Sequence, residues 1–227
     1  AQPSPGMKVL DLAAAPGGKS TQLAAYLANQ GVLVSNEISS KRAKILVENM
    51  ERFGATNVVV TNESADRLAK IFKGYFDVIV LDAPCSGEGM FRKQPDAVDY
   101  WSTDYPSQCA SLQREILEDA VSMLAEGGRL VYSTCTWAPE ENEEIVHWLL
   151  DTYEFELLPV EHVNGMVAGI DLPETSRMYP HHFKGEGQFV AHLQFKGQNP
   201  APKFKASKSN LSREQLALWH DFAQKHL

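Results

Sequence analysis

Cysteine is scarce in this chain: three residues in 227, Cys85, Cys109 and Cys135, an odd number with no CxxC spacing. That argues against a disulfide framework or a zinc cluster, so no metal is expected, and it fits a reducing compartment, with the cytoplasm as the expected location. Long apolar runs are lacking too. No stretch approaches the ~20 consecutive apolar residues of a spanning helix, and the start shows no basic-then-apolar signal pattern, which argues against membrane insertion and secretion. Positive charge does not dominate, since the formal net charge is −8. A polyanionic partner must therefore meet a local basic patch rather than a general field. The GxGxxG dinucleotide fingerprint is also missing, which disfavours NAD.

What is present alternates between strand and helix signals. Lys8 to Leu12 reads as a buried strand, and Gly17-Gly18 starts a helix carrying Leu23, Ala24 and Leu27. Val32 to Glu37 is a second strand, followed by a helix with Ala43, Leu46, Val47, Met50 and Phe53 at helical spacing that Gly54 ends. Val58 to Val60 is a third strand and Phe76 to Asp82 a fourth, almost wholly apolar as expected for a parallel sheet covered on both faces. A long segment from Ser86 to Pro106, rich in Gly and Pro, reads as a functional loop. The stripe Leu112 to Leu124 predicts a helix closed by Gly127-Gly128, and Arg129 to Thr134 a fifth strand. Pro139 suits the first position of a further helix, whose Glu140, Glu141, Glu143 and Glu144 suit its electropositive start. Phe155 to Leu158 and Gln188 to Phe195 alternate enough for a late antiparallel pair.

The pattern predicts an α/β fold with a doubly wound, mostly parallel sheet over residues 1–196. A basic Pro/Ser/Lys linker is expected over residues 197–211, with Lys203, Lys205 and Lys208. Residues 212–227 would begin a further helical or RNA-binding segment, opened by the capping pattern Ser212-Arg213-Glu214-Gln215. The chain reads as an excised core of something longer.

Chemistry concentrates at strand ends. In an open parallel sheet ligands collect beyond the carboxyl ends of the strands, where the sequence places Asp82-Ala83-Pro84-Cys85 and Ser133-Thr134-Cys135. Two thiols there would face one pocket. A turn at the start of a helix, Ala13-Ala14-Ala15-Pro16-Gly17-Gly18-Lys19, offers unpaired N–H groups to a carboxylate or phosphate. Glu37 ends the second strand about 20 residues beyond the glycines, where such folds hold a ribose diol. Lys19 suits either a cofactor carboxylate or the substrate, or is simply solvated. Neither strand-end cysteine has a histidine beside it in sequence, which counts against a Cys-His hydrolase. His147, His162, His181, His182 and His192 read as surface or core residues and Cys109 as packing.

Asp82-Ala83-Pro84-Cys85-Ser86-Gly87, Ser133-Thr134-Cys135-Thr136 and the glycine turn, in this order, resemble the Sun/Nop family of RNA cytosine-C5 methyltransferases over about residues 7 to 195. The run Gly87 to Ala97 is most similar to the bacterial branch that acts on small-subunit ribosomal RNA. The resemblance implies a Rossmann-like methyltransferase fold and S-adenosylmethionine as methyl donor. It implies a covalent mechanism in which Cys135 adds to carbon 6 of cytosine, Cys85 serves release, and Asp82 bonds ring nitrogen 3. Cofactor binding then falls to Ala13, Ala14, Ala15, Pro16, Gly17, Gly18, Lys19, Glu37 and Asp82. Family members hold the adenine with an acidic residue after the third strand; the aligned position here is Ser64, with Glu63 and Asp66 nearby.

RNA is the expected partner, with no membrane and no obligate protein partner. Arg92, Lys93 and Arg114 are candidates for phosphates, and Phe91 and Trp137, ahead of Tyr100, Trp101 and Tyr105, for base stacking. Three rivals remain. A transfer RNA methyltransferase would share the chemistry, a methyltransferase acting on DNA cytosine or on protein would share the cofactor fold, the DNA enzyme promoting Cys85 over Cys135, and a non-catalytic ribosome-assembly protein would retain only the fold.

Overall fold

Val9 and Leu10, Leu33 and Val34, and Val78, Ile79, Val80 and Leu81 are buried in consecutive positions, so each strand sends side chains into two cores at once. In this computed structural model, which describes residues 1–182, 184–200 and 210–226, alternate residues of each strand meet opposite layers of helices. Val9, Leu33, Val78 and Val80 pack with Leu23, Leu27, Leu46 and Met50. Leu10, Val34, Ile79 and Leu81 pack with Leu68, Leu117, Ile145 and Leu149. The strands are β1 (Lys8–Asp11), β2 (Val32–Asn36), β3 (Val58–Thr61), β4 (Phe76–Asp82) and β5 (Leu124–Thr134). Helices α1 (Gly18–Leu27) and α2 (Ser40–Phe53) cover one face, and α3 (Ala65–Phe72), α4 (Tyr105–Met123) and α5 (Glu143–Thr152) the other.

The sheet is completed by β6 (Phe155–Leu158), β7 (Val167–Ala168), β8 (Ser176–Met178) and β9 (Gln188–Phe195), in the order β3-β2-β1-β4-β5-β9-β8-β7, with β6 also on β9. The first five strands are parallel, and β9 runs antiparallel beside β5, with Thr134 opposite Phe189. The doubly wound, mostly parallel sheet is therefore as predicted, and β6 and β9 are the expected antiparallel pair. Among the described residues no helix is long and apolar enough to cross a membrane.

Three local expectations need correction. Gly127-Gly128 does not close α4: β5 begins at Leu124, and the glycines sit in an irregularity where the register jumps from Phe76↔Leu124 to Val78↔Arg129. Pro139 opens a short 3₁₀ turn, Pro139–Glu141, and α5 starts only at Glu143. Asn142 breaks the helix there because its side chain is drawn inward, bonded to the Thr134 hydroxyl and the Thr136 carbonyl. The glutamates around it are not all surface charges, since Glu141 and Glu143 are buried.

At the far end, Asn199 donates to the carbonyls of Val121 and Leu124 at 2.7 and 3.0 Å, tying the start of the expected linker to the domain. Residues 201–209, with Lys203, Lys205 and Lys208, lie outside the described residues. The capping pattern forms: Ser212 Oγ accepts from Gln215 N–H and Gln215 Oε1 accepts from Ser212 N–H. It opens α6 (Arg213–His226), on which no residue is buried.

Candidate active site

Strands β4 and β5 end side by side, Asp82 opposite Ser133, so the residues that follow each strand emerge together. Cys85 and Cys135 meet there with their sulfurs 3.1 Å apart, and the Cys135 N–H points to the Cys85 sulfur at 3.3 Å. Both are half-buried free thiols. The pair shares one proton unequally. Cys85 is pushed far up by its hydrogen bond to Cys135 and by burial, whereas the same hydrogen bond lowers Cys135 against the effect of its own burial. The thiolate of the pair therefore belongs on Cys135, the more nucleophilic form of sulfur.

Asp82 stands beside them. Its Oδ1 accepts from Ser133 Oγ at 2.8 Å and its Oδ2 from Lys19 Nζ at 2.6 Å. Lys19 is thus part of the constellation, brought there because α1 starts directly after the glycine turn. A cleft of about 300 Å³, within the range of small-molecule sites, runs from these groups past Ala13, Ala15, Glu37, Ile38 and Glu63.

The predicted cofactor residues divide. Ala13, Ala15, Glu37 and Asp82 line the cleft. Ala14 is buried in the core and its N–H bonds to the Asn36 carbonyl. Pro16, Gly17 and Gly18 border a separate groove with Asn49 and Arg52. Gly17 has φ +115°, a backbone conformation that disfavours any side chain, and a Cβ there would sit 3.2 Å from Leu46, so the turn favours glycine. Ser64 lies outside the cleft, its hydroxyl bonded to Asp66 at the start of α3. Glu63, one residue earlier, is the acidic residue that reaches the cleft after β3.

Glu37 fits a ribose diol on the structure itself. Its carboxylate is almost fully buried, with Oε1 accepting the Ser39 N–H and Oε2 3.3 Å from Arg42 but without a hydrogen bond. A carboxylate oxygen without a hydrogen-bond donor, on a residue that lines the cleft, could accept from a hydroxyl group there. Exposed Ile38 beside it offers an apolar face for a flat ring.

The stretch expected as a long loop carries two short 3₁₀ turns, Glu88–Met90 and Pro95–Tyr100, and folds onto the thiols. Gly89 N–H bonds to the Cys135 carbonyl, and Glu88 Oε2 accepts from the Thr136 hydroxyl and the Trp137 N–H. Behind Cys85 lie Gln113, Tyr132 and Glu141, none foreseen as functional; burial raises the Glu141 carboxyl. Of the RNA candidates, Arg92 pairs with Glu186, Arg114 lies over the Trp148 ring and Phe91 packs edge-on against Trp101, while Lys93, Tyr100 and Tyr105 are exposed. Trp137 packs beside Tyr179 at 6.4 Å. None of the histidines lines the cleft.

A sheet of this order, with a glycine turn after β1, an acidic residue after β2 and a cleft across the carboxyl ends, defines a Rossmann-like methyltransferase domain. The family model of the 16S rRNA methyltransferase RsmB/F matches residues 1–194, and the chain belongs to that family. It is 42% identical over 205 residues to the ribosomal RNA small subunit methyltransferase F of Cronobacter sakazakii, covering 87% of this chain and 42% of that protein. It is 43% identical over 191 residues to the same-named protein of Shewanella loihica, covering 82% of this chain and 39% of that one. The chain thus spans less than half the length of these curated relatives. Among solved structures, NSun6 from Pyrococcus horikoshii with SFG superposes with a TM-score of 0.79 at 32% identity, over 87% of this chain and 50% of that one.

Proposed function

We propose that this chain is the catalytic core of a methyltransferase that transfers the methyl group of S-adenosylmethionine to carbon 5 of a cytidine in small-subunit ribosomal RNA. The observation that carries this reading is the sulfur pair 3.1 Å apart beside Asp82, at the mouth of a nucleoside-sized cleft. Carbon 5 of cytosine is a weak nucleophile. A thiolate adding at carbon 6 breaks the ring's conjugation and gives carbon 5 enamine character.

Cys135, the sulfur that ionises more readily, is the adding residue. Asp82, held by Ser133 and Lys19, acts in its protonated form, donating its proton to ring nitrogen 3 and so neutralising the negative charge that develops there as the thiolate adds. S-adenosylmethionine supplies an electrophilic methyl group on a sulfonium; Glu37 would hold its ribose and Glu63 its adenine amino group. Water takes the carbon 5 proton, the freed C–H electron pair restores the ring double bond, and the carbon 6–sulfur bond breaks to release Cys135 as thiolate. The Cys85 S–H, already donating to that sulfur, stabilises the departing charge. The target base must be flipped out or unpaired to reach the thiols.

The test uses the full-length protein with S-adenosylmethionine and an RNA carrying 5-fluorocytidine, whose carbon 5 cannot lose a proton. Wild type should form a covalent protein–RNA species, and Cys135→Ala should form none and lose turnover by at least about 10³-fold. With ordinary RNA, Cys85→Ala should hold the adduct. An adduct that survives Cys135→Ala and vanishes in Cys85→Ala would point to the DNA-enzyme scheme instead. Bisulfite mapping should show one ribosomal cytidine unmethylated in cells lacking the gene; a missing mark on transfer RNA alone would move the substrate to that class.

A further inference from the structure

Cys85 sits between two residues whose backbones are clamped from behind. Gln113 Nε2, on α4, donates to the Pro84 carbonyl at 2.9 Å and to Glu141 Oε2 at 2.7 Å. Glu141 turns both carboxyl oxygens to the Ser86 N–H, at 3.0 and 3.3 Å. The Tyr132 hydroxyl lies 2.6 Å from the Glu141 carbonyl and 2.9 Å from Gln113 Oε1. All three side chains are fully buried.

A buried carboxyl is costly unless it is fully hydrogen-bonded, and apolar packing of the same volume often stabilises as well or better. Stability alone therefore gives no reason for an acid here. Its bonds go to the residues on either side of one cysteine. Its charge opposes ionisation of both thiols and so does not choose between them. What the geometry does is hold the backbone on either side of the Cys85 sulfur in place.

We propose that Glu141, with Gln113 and Tyr132, is a positioning residue for the release thiol: it fixes the 84–86 loop so that the Cys85 S–H stays within reach of Cys135 while the RNA adduct breaks down. This role presupposes the cytosine-C5 chemistry proposed above. Glu141→Gln keeps the shape but can set an amide N–H₂ against the Ser86 N–H or the Gln113 amide, so the loop loses an acceptor. Misplacement of a reacting group by about 1 Å costs on the order of 10²-fold in rate.

The experiment follows single turnovers of the full-length protein with S-adenosylmethionine and a cytidine RNA, reading the covalent species on denaturing gels beside steady-state kcat and KM. Expected for Glu141→Gln is a long-lived adduct like that of Cys85→Ala, kcat lower by about 10- to 100-fold, and an unchanged KM for RNA. Wild-type turnover, or failure to form the adduct at all, would overturn the proposal. Should Glu141→Gln not fold, Tyr132→Phe and Gln113→Met decide it, since wild-type adduct lifetimes in both would also overturn it. Cys85→Ala and Cys135→Ala serve as controls for the underlying chemistry: if they fail to trap and to abolish the adduct, that chemistry falls and takes this role with it, whereas controls that behave as expected beside wild-type turnover in Glu141→Gln overturn the role alone.

Discussion

Cys135 ionises readily because a neighbour lends it a proton donor, against the opposing effect of its own burial. The rate of its alkylation by iodoacetamide should therefore inflect below the usual thiol range as pH rises. In Cys85→Ala the donor is gone and the inflection should move upward; an unmoved inflection would deny the shared proton. A second titration concerns Asp11, which burial pushes up to about 6 although Ser20 bonds its Oδ2. Its folded value exceeds the unfolded 3.8, so the folded state binds more protons between the two. Stability is then lost as pH rises from about 4 through 6, and the full cost applies above that. Asp11→Asn should stabilise the protein by about 1–3 kcal/mol at pH 8, and by little near pH 4, in urea unfolding across that range. The thiols and Asp82 were legible in the sequence because each lies within a few residues of a strand end. Gln113, Tyr132 and Glu141 were not, because Gln113 and Glu141 find their partners at Pro84 and Ser86, 29 and 55 positions away, and Tyr132 acts through those two residues.

The catalytic loop and the approach to β9 touch through bare backbone. Gly187 N–H bonds to the Gly89 carbonyl, and a side chain on Gly187 would collide with the Trp137 ring at 2.4 Å and with Gly89 at 2.8 Å. Gly187→Ala should cost about 1–3 kcal/mol and lower turnover more than cofactor affinity, read by thermal melting and kinetics; unchanged kcat would show that the contact is incidental to chemistry. Strands β1 to β4 could be read from the chain because apolar runs ended at clear stop residues. The start of β5 was hidden by its irregularity, which looks like a helix stop. Strands β7 and β8, two and three residues long, carry no period to detect. The start of α5 was misread because the inward turn of Asn142 depends on Thr134 and Thr136 rather than on helix propensity.

Across the whole molecule, one buried ion pair joins the late strands to the helical layer. Arg177 on β8 donates to both carboxylate oxygens of Glu143 on α5 through Nε and Nη2, and through Nη1 to the Trp137 carbonyl at 2.9 Å. Removing one partner strands the other charge, so Arg177→Met should destabilise by about 3–5 kcal/mol, while Glu143→Leu with Arg177→Met should cost less than the two changes summed. Additive losses in chemical denaturation would mean that the two residues act separately. The doubly wound architecture was plain from alternating signals, but this pair was not, since 34 positions separate its members.

The Gly89–Gly187 contact also orders events in time. Translation delivers the amino end first, so both sulfurs leave the ribosome well before the segment that will be laid over their loop. A chain made only as far as Cys135 holds both sulfurs yet still lacks the Gly187 backbone that braces their loop.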